Sequence, residues 1–93
     1  MPPREYRILC LIRRADGHLR ALGYSENGSG VVYDGTWTVD QARRAIEQGH
    51  RLYTMSPSTG VQADLELHDG RLRTKPSRSS DTHLDALPDC SRR

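Results

Sequence analysis

No window of the chain approaches the roughly eighteen consecutive apolar residues of a membrane-spanning helix, so no membrane partner is expected. The opening MPPREYRILCLIRR has too short an apolar run, and no small-residue cleavage site, for a secretory leader; a cytoplasmic protein is the expectation. Cysteine is nearly absent. Cys10 and Cys90 are too few for the disulfide framework of a small secreted domain, which makes a reducing compartment and free thiols the default. A tail packed on the body could still bring Cys90 to Cys10, a bridge that geometry allows and cytosolic chemistry disfavours. Lysine is almost missing too: of fourteen cations Lys75 alone is lysine, a bias that points to a G+C-rich genome and a bacterial or phage source. Apolar residues are scarce at 34% against 28% charged, and the deficit lies mostly in the last twenty residues, which divides the chain into a folded body and a polar tail.

Ninety-three residues leave room for one domain with a modest core. The expected organisation is an N-terminal stretch 1–5, a single α+β domain over 6–75, and a polar linker and tail over 76–93 with a docking segment at 84–90. No internal repeat at a fixed period is visible. Tyr6 to Arg13 alternates, with Tyr6, Ile8, Cys10 and Ile12 on one face, and is aliphatic enough for a central strand. Asp16-Gly17 is a turn signal into a returning arm at Leu19 to Tyr24, Ser25 to Gly30 reads as a loop, and Val31 to Tyr33 as a short third strand. Thr38 and Gln41 form a capping box at the start of a short helix. Trp37 before the cap is expected to staple onto Ala42 and be largely buried. Val39, Ala42 and Ile46 share one helix face, and Gly49 supplies the left-handed stop.

After the helix, His50 to Ser56 alternates as a strand. Val61 to His68 does so strictly, with Val61, Ala63, Leu65 and Leu67 inward. Asp69-Gly70 is a two-residue hairpin turn returning through Arg71 to Thr74. The expected fold is therefore a small antiparallel sheet of four to five strands with one short helix and a docked C-terminal tail; Trp37, Thr38, Gly49 and Gly70 are its structural markers. In the tail, Leu84 and Leu87 at i, i+3 suit one turn of helix ended before Pro88.

The opening strand through Ile8 and Ile12, Trp37 before a helix holding Ala42 and Ile46, and Gly49 ahead of the Tyr53 strand form an ordered series. Gly70, Leu72, Thr74 and Asp81 follow, then Leu84, Leu87-Pro88-Asp89-Cys90. On these residues the chain, from Tyr6 to Cys90, resembles a small uncharacterised bacterial family, domain of unknown function three-eight-nine-two. Thr82-His83 and Leu72 depart from that family's pattern. The resemblance implies a compact α+β fold with a docked C-terminal segment, and carries no catalytic residues with it.

Chemistry-bearing patterns are sparse. His18, His50, His68 and His83 lie in or beside separate turns with no ligand-pair spacing, and no cofactor or metal is expected. Cys10 shares a strand face with aliphatics and reads as a small hydrophobe rather than a nucleophile. Asp64 and Glu66 sit on one strand face like an acid pair, yet match an ordinary solvated face equally well. There is no Gly-rich phosphate loop and no nucleophile elbow. Enzyme function is not expected. Arg51, Arg71, Arg73 and Lys75 are the candidate nucleic-acid contacts, but Asp64 and Glu66 stand across the hairpin from Arg71 and Arg73 and suit charge pairs better. The leading expectation is a non-enzymatic module that binds another, unidentified protein through a sheet edge or through Leu84, Leu87 and Pro88. A weak, mainly electrostatic nucleic-acid binder is the alternative, and an unrecognised enzyme comes third.

Overall fold

The computed structural model describes residues 4–26, 33–76 and 82–90. Among these the elements run β1 (Glu5–Arg13), β2 (Leu19–Ser25), β3 (Gly35–Thr38), α1 (Val39–Glu47), β4 (Arg51–Met55), β5 (Gln62–His68) and β6 (Arg71–Thr74), followed by a 3-10 turn at Leu84–Ala86. The turn between β1 and β2 is set by Asp16, whose carboxylate accepts the His18 backbone N–H at 3.0 Å, and by Gly17 at φ 89°. That N–H, with His18 and Arg14 nearby, lowers the Asp16 pKa from its ordinary value. Asp69 and Gly70 both take positive φ, 53° and 76°, which the tight hairpin between β5 and β6 requires.

The strands form one sheet in the order β3-β2-β1-β4-β5-β6. The α+β class holds, but the expected antiparallel sheet of four to five strands is corrected to six strands with mixed directions. Glu5, Tyr6 and Arg7 of β1 pair in parallel with Arg51, Leu52 and Tyr53 of β4. Parallel neighbours need a crossover, and α1 provides it: β3 runs straight into the helix, which returns the chain beside β1. The third strand is corrected as well. Val31 and Val32 lie outside the described residues, Tyr33 is not in a strand, and β3 is Gly-Thr-Trp-Thr, paired with Ala21 to Tyr24. Four residues are too few to show alternation without their partner strand.

A bulge changes the faces of β1. Ile8 pairs with Tyr24 and Leu11 with Leu22, and because Tyr24 and Leu22 are two residues apart, Ile8 and Leu11 share a face across an odd interval. The extra residue is Leu9, between Ile8 and Cys10. Cys10, opposite Gly23, and Ile12, opposite Ala21, therefore lie on the other face, not with Tyr6 and Ile8 as strict alternation demands.

The core occupies the helix side: Tyr6, Ile8, Leu11, Leu22, Leu52 and Leu65 from the strands, Ala42 and Ala45 from α1, and Leu84 from the tail. The capping box is complete, with Thr38 Oγ1 accepting the Gln41 N–H at 3.1 Å and Gln41 Oε1 accepting the Thr38 N–H at 2.9 Å. Ala42 and Ala45 form the buried face of the helix, while Val39 and Ile46 are half-buried. Gly49, at φ 95°, follows the helix. Trp37 is half-buried rather than largely buried. Lying on the edge strand, it stacks on Tyr24 at 4.3 Å between ring centroids and meets Tyr6 edge-on at 4.8 Å.

Candidate functional site: a cleft at the fork between β1 and β4

The parallel ladder ends at Arg7 and Tyr53: Thr54 and Met55 of β4 go on pairing with β5 alone, and β1 enters its bulge after Ile8. Beyond it β4 turns away through Ser56 and Pro57, a turn closed by the Ser56 N–H on the Val61 carbonyl at 2.8 Å. The second half of β1 is left with an open flank. The C-terminal segment fills it: the Leu11 N–H donates to the Pro88 carbonyl and the Cys90 N–H donates to the Leu11 carbonyl, each at 2.9 Å, a one-residue parallel bridge between Leu11 and Asp89. These bonds satisfy a backbone donor and acceptor that a fork in the sheet would otherwise strand.

The segment reaches the flank from the core side. Thr54 Oγ1 donates to the Thr82 carbonyl, the Leu84 N–H donates to Thr74 Oγ1 at 3.2 Å, and the Leu84 side chain is buried. The 3-10 turn then carries the chain past Leu87, half-buried, and Pro88, exposed, to Cys90. Cys90 is bonded to Cys10, with Cα atoms 4.9 Å apart, and both residues are buried. Because the bulge turns Cys10 away from the core face, the segment crosses the sheet through the fork, from Leu84 on one face to Cys90 on the other. Gly23 leaves the space that the bridge occupies: a Cβ there would stand 2.4 Å from Cys10 Sγ and 2.8 Å from Cys90 Sγ. The expectation of free thiols is corrected by this bond. Sequence separation hid the pair, since they stand 80 positions apart and only the docked tail closes the gap.

Between the end of β4 and the crossing segment lies a cleft of about 250 Å³. Ile8 and Leu9 of β1, Met55 and Pro57 at the end of β4, and Ala86, Leu87 and Pro88 of the tail line it; Arg7 is the charged member of the lining. Of the tail residues singled out in the sequence, Leu87 and Pro88 thus line this cleft while Leu84 is committed to the core. Leu9, Met55 and Pro57 were not singled out. Leu9 is marked only by the bulge, which a sequence pattern does not show.

The basic residues are not gathered into a groove. Arg51 Nε donates to Asp64 at 2.8 Å, its Nη2 to Gln62 at 2.9 Å and its Nη1 to Glu5 at 3.5 Å, and its guanidinium lies 4.5 Å from the centre of the Tyr53 ring. Arg73 pairs with Glu66 at 2.5 Å. Arg71 stands opposite His68 in the β5–β6 ladder, not opposite Asp64 as the charge-pair expectation had it, because Asp64 pairs across the other edge of β5 with Tyr53 of β4. Lys75 is exposed. His18 and His68 sit beside Asp16 and Asp69, and His50 Nδ1 accepts the Arg4 backbone N–H at 3.0 Å. Among the described residues no three His, Cys, Asp or Glu side chains converge as metal ligands. No helix among them is long and apolar enough to cross a membrane.

No family model matches the chain, and neither a curated protein nor a solved structure shows significant similarity to it.

Proposed function

We propose that this chain is a non-enzymatic protein-interaction module whose binding site is the cleft at the fork between β1 and β4. The observation that carries the reading is the cleft's lining, apolar side chains including two prolines beside one arginine, with three of its eight lining residues supplied by the tail. Its volume suits one large aliphatic side chain, so the occupant is an extended peptide of a partner protein that presents a leucine-like residue. Met55, Leu87 and Pro88 then act as packing surface. The same reading takes the chain for a cytoplasmic bacterial or phage protein of the family it resembles.

The nucleic-acid alternative has Arg71 and Lys75 to draw on, whereas Arg51 and Arg73 are already engaged with carboxylates, and displacing those contacts would cost binding energy. Site-directed photo-crosslinking separates the two. With p-benzoylphenylalanine in place of exposed Pro57, lysate of the source cells is expected to yield a discrete protein adduct that a Leu87→Glu exchange abolishes. The same probe in place of exposed Arg44 on α1 is expected to yield none. Generic single-stranded DNA and RNA should show no binding at low salt. Equal adducts from both positions, or nucleic-acid binding that declines steeply as salt rises, would sink the proposal.

A further inference from the structure

The disulfide lies where it controls the cleft. We propose that the Cys10–Cys90 bond is a redox-reversible latch: oxidised, it holds the Ala86–Pro88 wall in place, and reduced by a dithiol it releases that wall and the cleft's occupant. This deepens the cleft reading and rests on it.

Three features of the tail carry the inference. Its anchoring is divided, with Leu84 and the Thr54 and Thr74 contacts on the core side of the fork and the disulfide on the other, and the cleft wall spans the interval between them. The second anchor is slight apart from the covalent bond. It consists of two backbone hydrogen bonds to Leu11, and Pro88 and Asp89 beside it are exposed to water, which competes for both bonds. The body does not depend on this anchor: every other member of the buried cluster comes from β1, β2, β4, β5 or α1, and Leu84 precedes the latch by six positions. Loss of the bond therefore frees the Pro88–Cys90 end and loosens the half-buried Leu87, at the cost of the buried Cys90 side chain, while Leu84 and the rest of the cluster stay in place.

The chemistry balances with a dithiol reductant. One of its thiolates attacks a sulfur of the bridge, its second thiol displaces the mixed disulfide, and two electrons and two protons leave Cys10 and Cys90 as thiols while the reductant closes to its own disulfide. Both cysteines are buried, 5% and 3% exposed, so attack requires the Pro88–Cys90 end to lift first. Among the described residues, the backbone hydrogen bonds that this lifting breaks are the two to Leu11. In a reducing compartment, a bridge near the chain's end that is reached by local opening is the arrangement of a transient, regulatory disulfide.

Amide hydrogen exchange on the full chain, oxidised and then treated with dithiothreitol, tests the latch without any ligand. Reduction is expected to speed exchange at Leu11 and Cys90 at least tenfold more than at Leu22 and Leu52, which feel only the global loss of stability; removal of the reductant should restore protection. A Cys90→Ser variant should show the fast pattern at Leu11 without reductant. Free thiols in the protein isolated without reductant, unchanged exchange at Leu11 on reduction, or acceleration at Leu22 and Leu52 equal to that at Leu11 would each overturn the proposal, the last by showing a global staple. The crosslink at position 57 is then compared between the two redox states at constant protein. A drop in adduct on reduction supports control of the cleft, and equal adduct in both states overturns it. Absence of adduct in both states, with the exchange pattern as expected, would instead overturn the cleft reading and with it the control of a partner.

Discussion

The residues with the largest consequences are two whose roles depend on their neighbours. Trp37 sits on an edge strand, and its stability contribution is aromatic contact rather than full burial. In a double-mutant cycle with Trp37→Leu and Tyr24→Leu, chemical denaturation should give a coupling of about 0.5–1.5 kcal/mol; a coupling near zero would remove the stacked pair from the account. Trp37→Ala alone should cost about 2–3 kcal/mol, at or below the lower end for a buried aromatic, because part of the ring already meets water. Gly23 is the opposite kind of residue, required for what it lacks. An alanine methyl would meet both bridged sulfurs, which cannot swing apart while bonded, so Gly23→Ala should destabilise the oxidised protein by about 1–3 kcal/mol in urea titrations. Reduced protein should lose much less, because free thiols can change rotamer. A glycine inside a strand suggests a bulge or a close approach, but the sequence does not say to what.

At the scale of elements, local signals were legible wherever a short stretch carries its own reason. The capping box, the Gly49 stop and the Asp69-Gly70 turn depend on groups within four residues of one another, and each is present. The β1 bulge and the short β3 are not of that kind. A bulge is defined by the partner strand, and four residues of β3 acquire meaning only opposite Ala21 to Tyr24. The tail is an intermediate case: Leu84 and Leu87 were visible as apolar positions, but only the fork gives them different roles. Leu84→Ala should therefore cost about 2–4 kcal/mol by equilibrium unfolding, as a core truncation does, whereas Leu87→Ala should cost under about 1 kcal/mol. Equal costs for the two would mean that the crossing is not as described.

For the whole molecule, the disulfide closes a loop across 80 positions, nearly the full chain. Chain-entropy reasoning sets an upper figure of about 4.5 kcal/mol for such a loop, and common experience is about 2–4. The Cys10→Ser, Cys90→Ser double variant is accordingly expected to melt lower by that amount yet still unfold cooperatively, since the strands and helix keep their core. Calorimetry on oxidised and variant protein checks this, and a variant without a cooperative transition would show that the body needs the bridge. Charge acts at this scale too. A net charge of +2 with Arg51 and Arg73 held by carboxylates leaves a mixed surface, which accords with a protein partner better than with a polyanion.

What the sequence by itself determined are the features whose physics is local: an α+β chain, the helix with its cap and stop, the two tight hairpin turns, and the strand from Ala63 to Leu67 with its inward face. Each rests on backbone preference or on groups close along the chain, so no knowledge of the far partner is needed. The tertiary structure alone decided that β4 enters parallel to β1, because that direction follows from where α1 lands on the sheet. It also decided that the ladder between them stops after three pairs, where β1 enters its bulge and β4 continues along β5 alone. The tail, the cleft and the disulfide all follow from that early stop: an unpaired flank on β1 must find backbone partners, Pro88 and Cys90 supply them, and supplying them brings together two sulfurs that the sequence keeps at opposite ends.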